Sequence, residues 1–343
     1  MLTKYFSQLI TALVILSLQT IGYCQTIKQG EGYITSADGV QLFYKVVGKG
    51  PDPIVVLHGG PGNTMFSVLP DFEPLEEEHT IIYYDQRGNG RSDLVEESEE
   101  LTISKHIEDL EAIRQHFRLN KLTLIGNSWG GLLVSFYALK HPDKVKRLVL
   151  HSPASPSYDI LKTSTPYIYQ RIPQENRIRF QSMSIPDVWR TTPEPLALCR
   201  RFYELLRPVY FSDITRADNM RGNVCAAPLK ALRLQPAVNK TIWETLGEWD
   251  LISELSSLET PTLVIHGSYD MIPLESSIAW TKALPNARLL VIKDSGHMTH
   301  IEQPDIFFTA VINFLNGQWP EDAIQIPGKT ADDSQPRIEI NRP

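Results

Sequence analysis

The stretch Gly126-Asn127-Ser128-Trp129-Gly130 constrains this chain more than any other. A short apolar run, Leu122-Thr123-Leu124-Ile125, leads into it, and a helical-looking run, Leu132 to Leu139, leads out. Few folds place a G-x-S-x-G turn between a buried strand and a helix. The turn is tight enough to strain the backbone at the serine, and the flanking glycines leave it room. The Ser128 hydroxyl then projects above the sheet edge, beside helix-start N–H groups and their partial positive charge. An ordinary glycine-rich turn is the plainer alternative. The strand and helix on either side favour a nucleophile elbow.

The rest of the chain repeats that rhythm. Two alternating runs between Glu31 and Val47 flank Asp38-Gly39, which predicts a hairpin. Continuous apolar runs follow at Pro53–Leu57, Thr80–Tyr84, Leu122–Ile125, Val145–Leu150, Thr262–Ile265 and Arg288–Ile292. Such runs fit strands buried on both faces of a parallel sheet. Helical spacing lies between them, clearest at Ile103–Phe117 with Thr102 as N-cap, and again at Ser276–Leu284 and Asp305–Leu315. The fold class is therefore α/β, a mostly parallel sheet flanked by helices. The rhythm fails between residues 152 and 250, which predicts an inserted helical cap. The core spans 25–151 and 251–317, and residues 318–343 read as a flexible polar tail.

With 343 residues the core is ample without a metal staple. A formal charge of −7 argues against a nucleic-acid binder. Residues 1–24 read as a signal peptide, with Lys4 at the start, an apolar Leu9–Leu18 stretch and Gly22-Tyr23-Cys24 before a cut at Gln25. Export to a periplasmic or extracellular space is expected, with no membrane span after cleavage. A retained anchor or a lipidated Cys24 is the weaker alternative. Only Cys199 and Cys225 then remain, and an oxidising compartment predicts a disulfide between them over two free thiols.

A serine nucleophile needs a histidine base, and the base needs an acid to fix its tautomer. Both should follow Ser128 at the ends of later strands. Thr262–Ile265 runs into His266-Gly267-Ser268-Tyr269-Asp270, which makes Asp270 the candidate acid over Asp250, which precedes the strand. Leu289–Ile292 runs into Lys293-Asp294-Ser295-Gly296-His297, which makes His297 the candidate base over His300. A metal pair of His297 and His300 lacks a third ligand nearby, so no metal is expected. The oxyanion needs two N–H donors. Trp129, after the nucleophile, supplies one, and Gly60 in His58-Gly59-Gly60-Pro61-Gly62 is the candidate for the other. The loop Asp85-Gln86-Arg87-Gly88-Asn89-Gly90-Arg91-Ser92 superficially resembles a phosphate loop but lacks the Gly-Lys-Ser/Thr ending. It reads instead as a turn bracing the other loops.

Together, HGGPG at 58–62, DQRGNGRS at 85–92 and NSWGG at 127–131 resemble the proline iminopeptidase family of α/β-hydrolases. The segments Gly267–Asp270 and Ser295–His297 agree, and the similarity runs from about residue 30 to 317. The resemblance implies an α/β-hydrolase core with a helical cap. It implies a triad of Ser128, Asp270 and His297, with Gly60 and Trp129 as oxyanion donors and no cofactor. The implied activity is release of an N-terminal residue, often proline, from short peptides, the amino group being held by acidic side chains. Met271 follows Asp270 here, and residues 152–250 hold 13 Lys and Arg against 10 Asp and Glu. Glu204, Glu244 and Glu248 are the candidate amine anchors; an Arg-rich cap instead suits a carboxylate-bearing ligand. Aminopeptidase action is the first expectation, and an esterase, amidase or lactonase on a small acyl substrate the second. A ligand-binding protein without turnover is the third, and the intact Ser128, Asp270 and His297 set counts against it.

Overall fold

Each continuous apolar run becomes a strand of one eight-stranded sheet. The structure, a computed structural model, describes residues 27–327. The strands are β1 (Gly30–Thr35), β2 (Gln41–Gly48), β3 (Ile54–Leu57), β4 (Thr80–Tyr84), β5 (Leu122–Asn127), β6 (Val145–His151), β7 (Thr262–Gly267) and β8 (Ala287–Ile292). Their order across the sheet is β1-β2-β4-β3-β5-β6-β7-β8. The hairpin β1–β2 is antiparallel and turns at Asp38-Gly39, with β2 antiparallel to β4; every later pairing is parallel.

Alternation along each strand divides the core into two layers. Val55, Leu57, Leu124, Leu148, Leu150 and Val264 face one side, where Leu132, Leu133 and Tyr137 of the helix Trp129–Lys140 cover them. Ile54, Val56, Ile125, Val149, Leu263 and Ile265 face the other, under Phe307, Val311 and Phe314 of the helix Pro304–Leu315. Each of these buried aliphatic side chains contributes about 1.5–3 kcal/mol by leaving water. Both faces are consumed, so the active loops must gather at the strand ends. The helix Ile103–His116 starts where expected, with the Thr102 hydroxyl accepting from the Lys105 N–H at 3.4 Å.

Between β6 and β7 the chain carries helices and no strand of the sheet. The longest are Pro195–Tyr210 and Leu229–Leu246. A disulfide joins Cys199 to Cys225, with their Cα atoms 5.9 Å apart. Buried Asp71 of the core accepts the backbone N–H groups of Arg221 and Gly222 at 2.9 and 2.8 Å, which pins this region to the sheet.

The segment after Gly317 corrects the expected flexible tail. Trp319 packs on Phe314, Ala323 and Ile326 are buried, and Ile324 exchanges both backbone hydrogen bonds with Leu289 at 2.8 and 2.9 Å. Three apolar side chains and one bridge suffice to hold a polar stretch against the sheet. The rest of that tail, beyond 327, and the expected leader at 1–24 lie outside the described residues. Among the described residues no helix is long and apolar enough to cross a membrane.

Candidate active site

β5 ends at Asn127, and Ser128 takes φ 54° and ψ −118° before the helix Trp129–Lys140 begins. A non-glycine residue in that region costs about 1–3 kcal/mol, which the surroundings must outweigh. They do so through four backbone bonds: Ser128 donates to His151 at 2.9 Å, and Ala154, Gly131 and Leu132 donate to the Ser128 carbonyl at 3.0, 3.0 and 3.4 Å. The turn also needs glycine at 126, where a Cβ would lie 2.3 Å from the Gly130 carbonyl oxygen.

His297 follows β8, and its Nδ1 lies 2.8 Å from Asp270 Oδ1, beyond β7. Asp270 Oδ1 also accepts the Ile272 N–H at 2.9 Å. Burial raises the Asp270 carboxyl, but the neighbouring His297 and its hydrogen bond outweigh that and hold it well below the usual carboxylate range. Asp270 is therefore an anion that fixes His297 with Nδ1 protonated and Nε2 free to act as a base. Ser128 and His297 line the same cavity of ≈ 390 Å³. Among the described residues no hydrogen bond joins their side chains. In unliganded enzymes such contacts are often long and tighten when substrate binds.

The loop after β3 closes the other side. Gly60 sits at φ 117°, a conformation that favours glycine, and faces the cavity beside Ser128. Trp129 occupies the first helical position, where its N–H has no intrahelical partner. Gly60 lines the cavity together with Ser128, and Trp129 follows Ser128 directly in the chain. The loop after β4 braces them: Gln86 donates to the His58 carbonyl at 3.0 Å and accepts from the buried Trp129 indole at 2.9 Å. Asp85 accepts from the Thr64 hydroxyl and from the Met65 and Arg91 backbones. Arg87, fully buried, bonds twice to Asp109 and reaches Asp38 and the Glu100 carbonyl. This loop is a strut, as expected: Asp85 and Arg87 are spent internally, and only Arg91 reaches the surface.

A family model for the alpha/beta hydrolase fold matches residues 52–304. The chain belongs to that family. Among its relatives, a proline iminopeptidase of Saccharolobus solfataricus is 27% identical over 312 residues, covering 86% of this chain and 94% of that protein. Solved α/β-hydrolases share the fold. A proline iminopeptidase of Mycobacterium smegmatis superposes with TM-score 0.65 at 22% identity, covering 84% of this chain and 98% of that one. An esterase of Exiguobacterium antarcticum gives TM-score 0.62 at 21% identity, covering 84% and 100%.

The cap of this α/β-hydrolase corrects the expected amine anchors. Glu204 is exposed and lines a neighbouring recess; Glu244 is exposed and pairs with Lys240 at 3.6 Å; Glu248 is exposed. None of the three lines the cavity over Ser128. The cap arginines do not line it either. Arg171 donates to the Tyr269, Asp270 and Val209 carbonyls, Arg216 to those of Asp294 and Glu302, and Arg233 to those of Arg190 and Thr192. They brace the cap, which leaves the carboxylate-receiving alternative without a cavity-facing guanidinium. Asp250, the rival acid, caps the backbone at Ile252. His300 is buried against His151, Phe72 and Phe307, where burial and then His297 push it down to about 3.

Several positioning residues had no sequence signal. Buried Glu302 accepts from Gly296 N–H at 2.5 Å through one oxygen, and from Ser212 N–H, Ser212 Oγ and Asp213 N–H through the other. It thereby ties the His297 loop to the cap. Tyr210, at the end of a cap helix, stacks on the His297 ring at 5.6 Å, and its carbonyl accepts the His297 N–H at 2.8 Å. Buried His151 bridges Asn127 and Thr299, linking the strand before Ser128 to the segment after His297.

Proposed function

We propose that this α/β-hydrolase is a serine hydrolase that cleaves an ester or amide of a small, uncharged acyl group. Ser128 Oγ attacks the acyl carbon while His297 Nε2 takes its proton. Asp270 stabilises the imidazolium, and the Gly60 and Trp129 N–H groups hold the oxyanion. The imidazolium then returns the proton to the leaving group, which departs and leaves an acyl-Ser128. Water, deprotonated by the same imidazole, attacks that ester and releases the acid.

The observation that carries the substrate class is the cavity wall. Ile168, Phe180, Met183, Leu206, Val209 and Met271 are among the apolar side chains that line it, and no Asp or Glu is among the described residues that do. Lys240, exposed and paired with Glu244, is the cation at its rim. A substrate ammonium buried there loses its hydration with no counter-charge, which costs several kcal/mol. The volume, ≈ 390 Å³, suits a small acyl group.

Release of an N-terminal residue is the second reading, favoured by the proline iminopeptidase relative that aligns with 86% of the chain. We propose export as well, which fits either reading; the Cys199–Cys225 disulfide favours an oxidising compartment. A panel of short aryl esters, N-acyl arylamides and free aminoacyl-arylamides separates the two. The proposal expects turnover of the first two classes, fluorophosphonate labelling, and loss of both in Ser128→Ala. Turnover confined to free aminoacyl-arylamides would transfer the case to the second reading. Absence of labelling and of all turnover would end both.

A further inference from the structure

One polar cluster interrupts the apolar wall. Tyr203 Oη donates to Asn63 Oδ1 at 2.8 Å, and Gln235 Nε2 donates to Asn63 Oδ1 at 3.1 Å and to Tyr203 Oη at 2.9 Å. All three side chains line the cavity. The tyrosine proton and both Gln235 amide hydrogens are spent within the trio. Gln235, only 8% exposed, has an Oε1 that is buried and has no partner. The two hydrogens of the Asn63 amide are likewise unused by the trio. Turning both amides over exchanges the ends and leaves the same inventory: one spare acceptor and one spare donor on two different residues.

The trio stands against the oxyanion loop. Asn63 directly follows Gly62. A Cβ on Gly62 would lie 3.0 Å from the Gln235 carbonyl oxygen, and Asn239, one helical turn further on, donates to the Pro61 carbonyl at 2.6 Å. A group held by the trio therefore lies in the cavity that Gly60 and Ser128 also line.

We propose that Asn63, Tyr203 and Gln235 form a specificity subsite that reads a neutral secondary amide in the substrate's acyl portion. The amide N–H donates to the spare acceptor and its carbonyl takes the spare donor. An N-acylated amino acid or internal peptide segment carries that pair of groups; a plain alkyl chain carries neither. An ammonium offers donors only, with a charge that the trio does not balance. A buried acceptor left unpaired by the wrong substrate is the source of discrimination. This inference rests on the serine hydrolase reading above and names its substrate class more narrowly.

The test compares the p-nitrophenyl esters of N-acetylglycine and 4-oxopentanoic acid, which differ by one NH in place of one CH₂. Each kcat/KM is divided by the spontaneous hydrolysis rate in the same buffer. The expected wild-type preference for N-acetylglycine is about tenfold or more. Gln235→Leu brings the ratio to within about twofold of one. Gln235→Glu, of nearly the same shape, retains the acceptor and with it the preference, and raises turnover of glycine p-nitroanilide, whose ammonium the new carboxylate can pair. Circular dichroism and melting establish that each variant is folded; should Gln235→Leu fail there, the glycine p-nitroanilide turnover of Gln235→Glu carries the test. A ratio of one in the wild type, a preference that survives in folded Gln235→Leu, or no gain on glycine p-nitroanilide in folded Gln235→Glu overturns the subsite and leaves the hydrolase reading standing. Failure to cleave either ester, with no fluorophosphonate labelling, overturns both.

Discussion

Glu302→Gln is the most informative single change. Glu302 takes four hydrogen bonds, three on Oε1 and one on Oε2 from the Gly296 N–H. Glutamine keeps the shape and can present its oxygen to the three donors near Ser212. Its NH₂ then faces the Gly296 N–H, donor against donor. One charge-assisted bond is lost and three become neutral, partly offset because a carboxylate no longer has to be buried. The net cost is about 2–4 kcal/mol, or roughly 4–12 °C in melting temperature. Gly296 is the neighbour of His297, so the base moves as well. A displacement near ~1 Å lowers turnover about 10²-fold. Thermal unfolding measured alongside kcat and KM on an aryl ester checks both halves, with the loss expected in kcat rather than KM. Unchanged melting together with unchanged kcat would refute the claim that this carboxylate positions the base.

Asp270→Asn keeps the size of the acid but not its charge, and kcat is expected to fall about 10⁴-fold with KM little changed, measured by steady-state kinetics. The hydrogen bond from Arg87 leads the causes that hold Asp38 down to about 2. Because the folded value lies below the unfolded one, this stabilisation is complete above pH ~4 and disappears as pH falls toward ~2. Asp38→Asn should therefore lower stability at neutral pH and flatten the melting-temperature decline across that window; a decline identical to wild type would count against it. Cys199→Ser with Cys225→Ser opens a crosslink spanning 26 positions. The loop-entropy relation gives about 3.5 kcal/mol, to be read as an earlier denaturant midpoint, and no change in that midpoint would contradict it.

Strands β3 to β8 were legible because they are largely buried on both faces and so carry few polar interruptions, and the hairpin β1–β2 because its two runs alternate about Asp38-Gly39. The elbow was legible because strand, Ser128 and helix are contiguous. Asp270 and His297 were found from where strands end, since both faces of a parallel sheet are covered and the chemistry must sit at its edge. The cap was a different problem. Its helices pack through partial contacts among Tyr203, Phe202, Phe180 and Trp189 that carry no fixed period. Glu204, Glu244 and Glu248 looked like anchors by composition, and only the structure shows that Glu204 and Glu244 lie on the outward faces of their helices and Glu248 on the exposed bend after one. Glu302 gave no signal at all. Its partners Ser212 and Asp213 lie 90 and 89 residues away, and no local pattern encodes such a bond. Residues 318–327 misled for a simpler reason: a handful of apolar side chains was outvoted by proline and charge.

That last segment changes what the molecule presents to other molecules. Without Ile324, the outer side of β8 would offer the N–H and C=O of Leu289 as a template for any extended chain in solution. The short bridge occupies that template from within the same polypeptide. A chain shortened to the last long helix would retain the loops around Ser128 and lose this protection, trading a closed border for one prone to sticking to its copies.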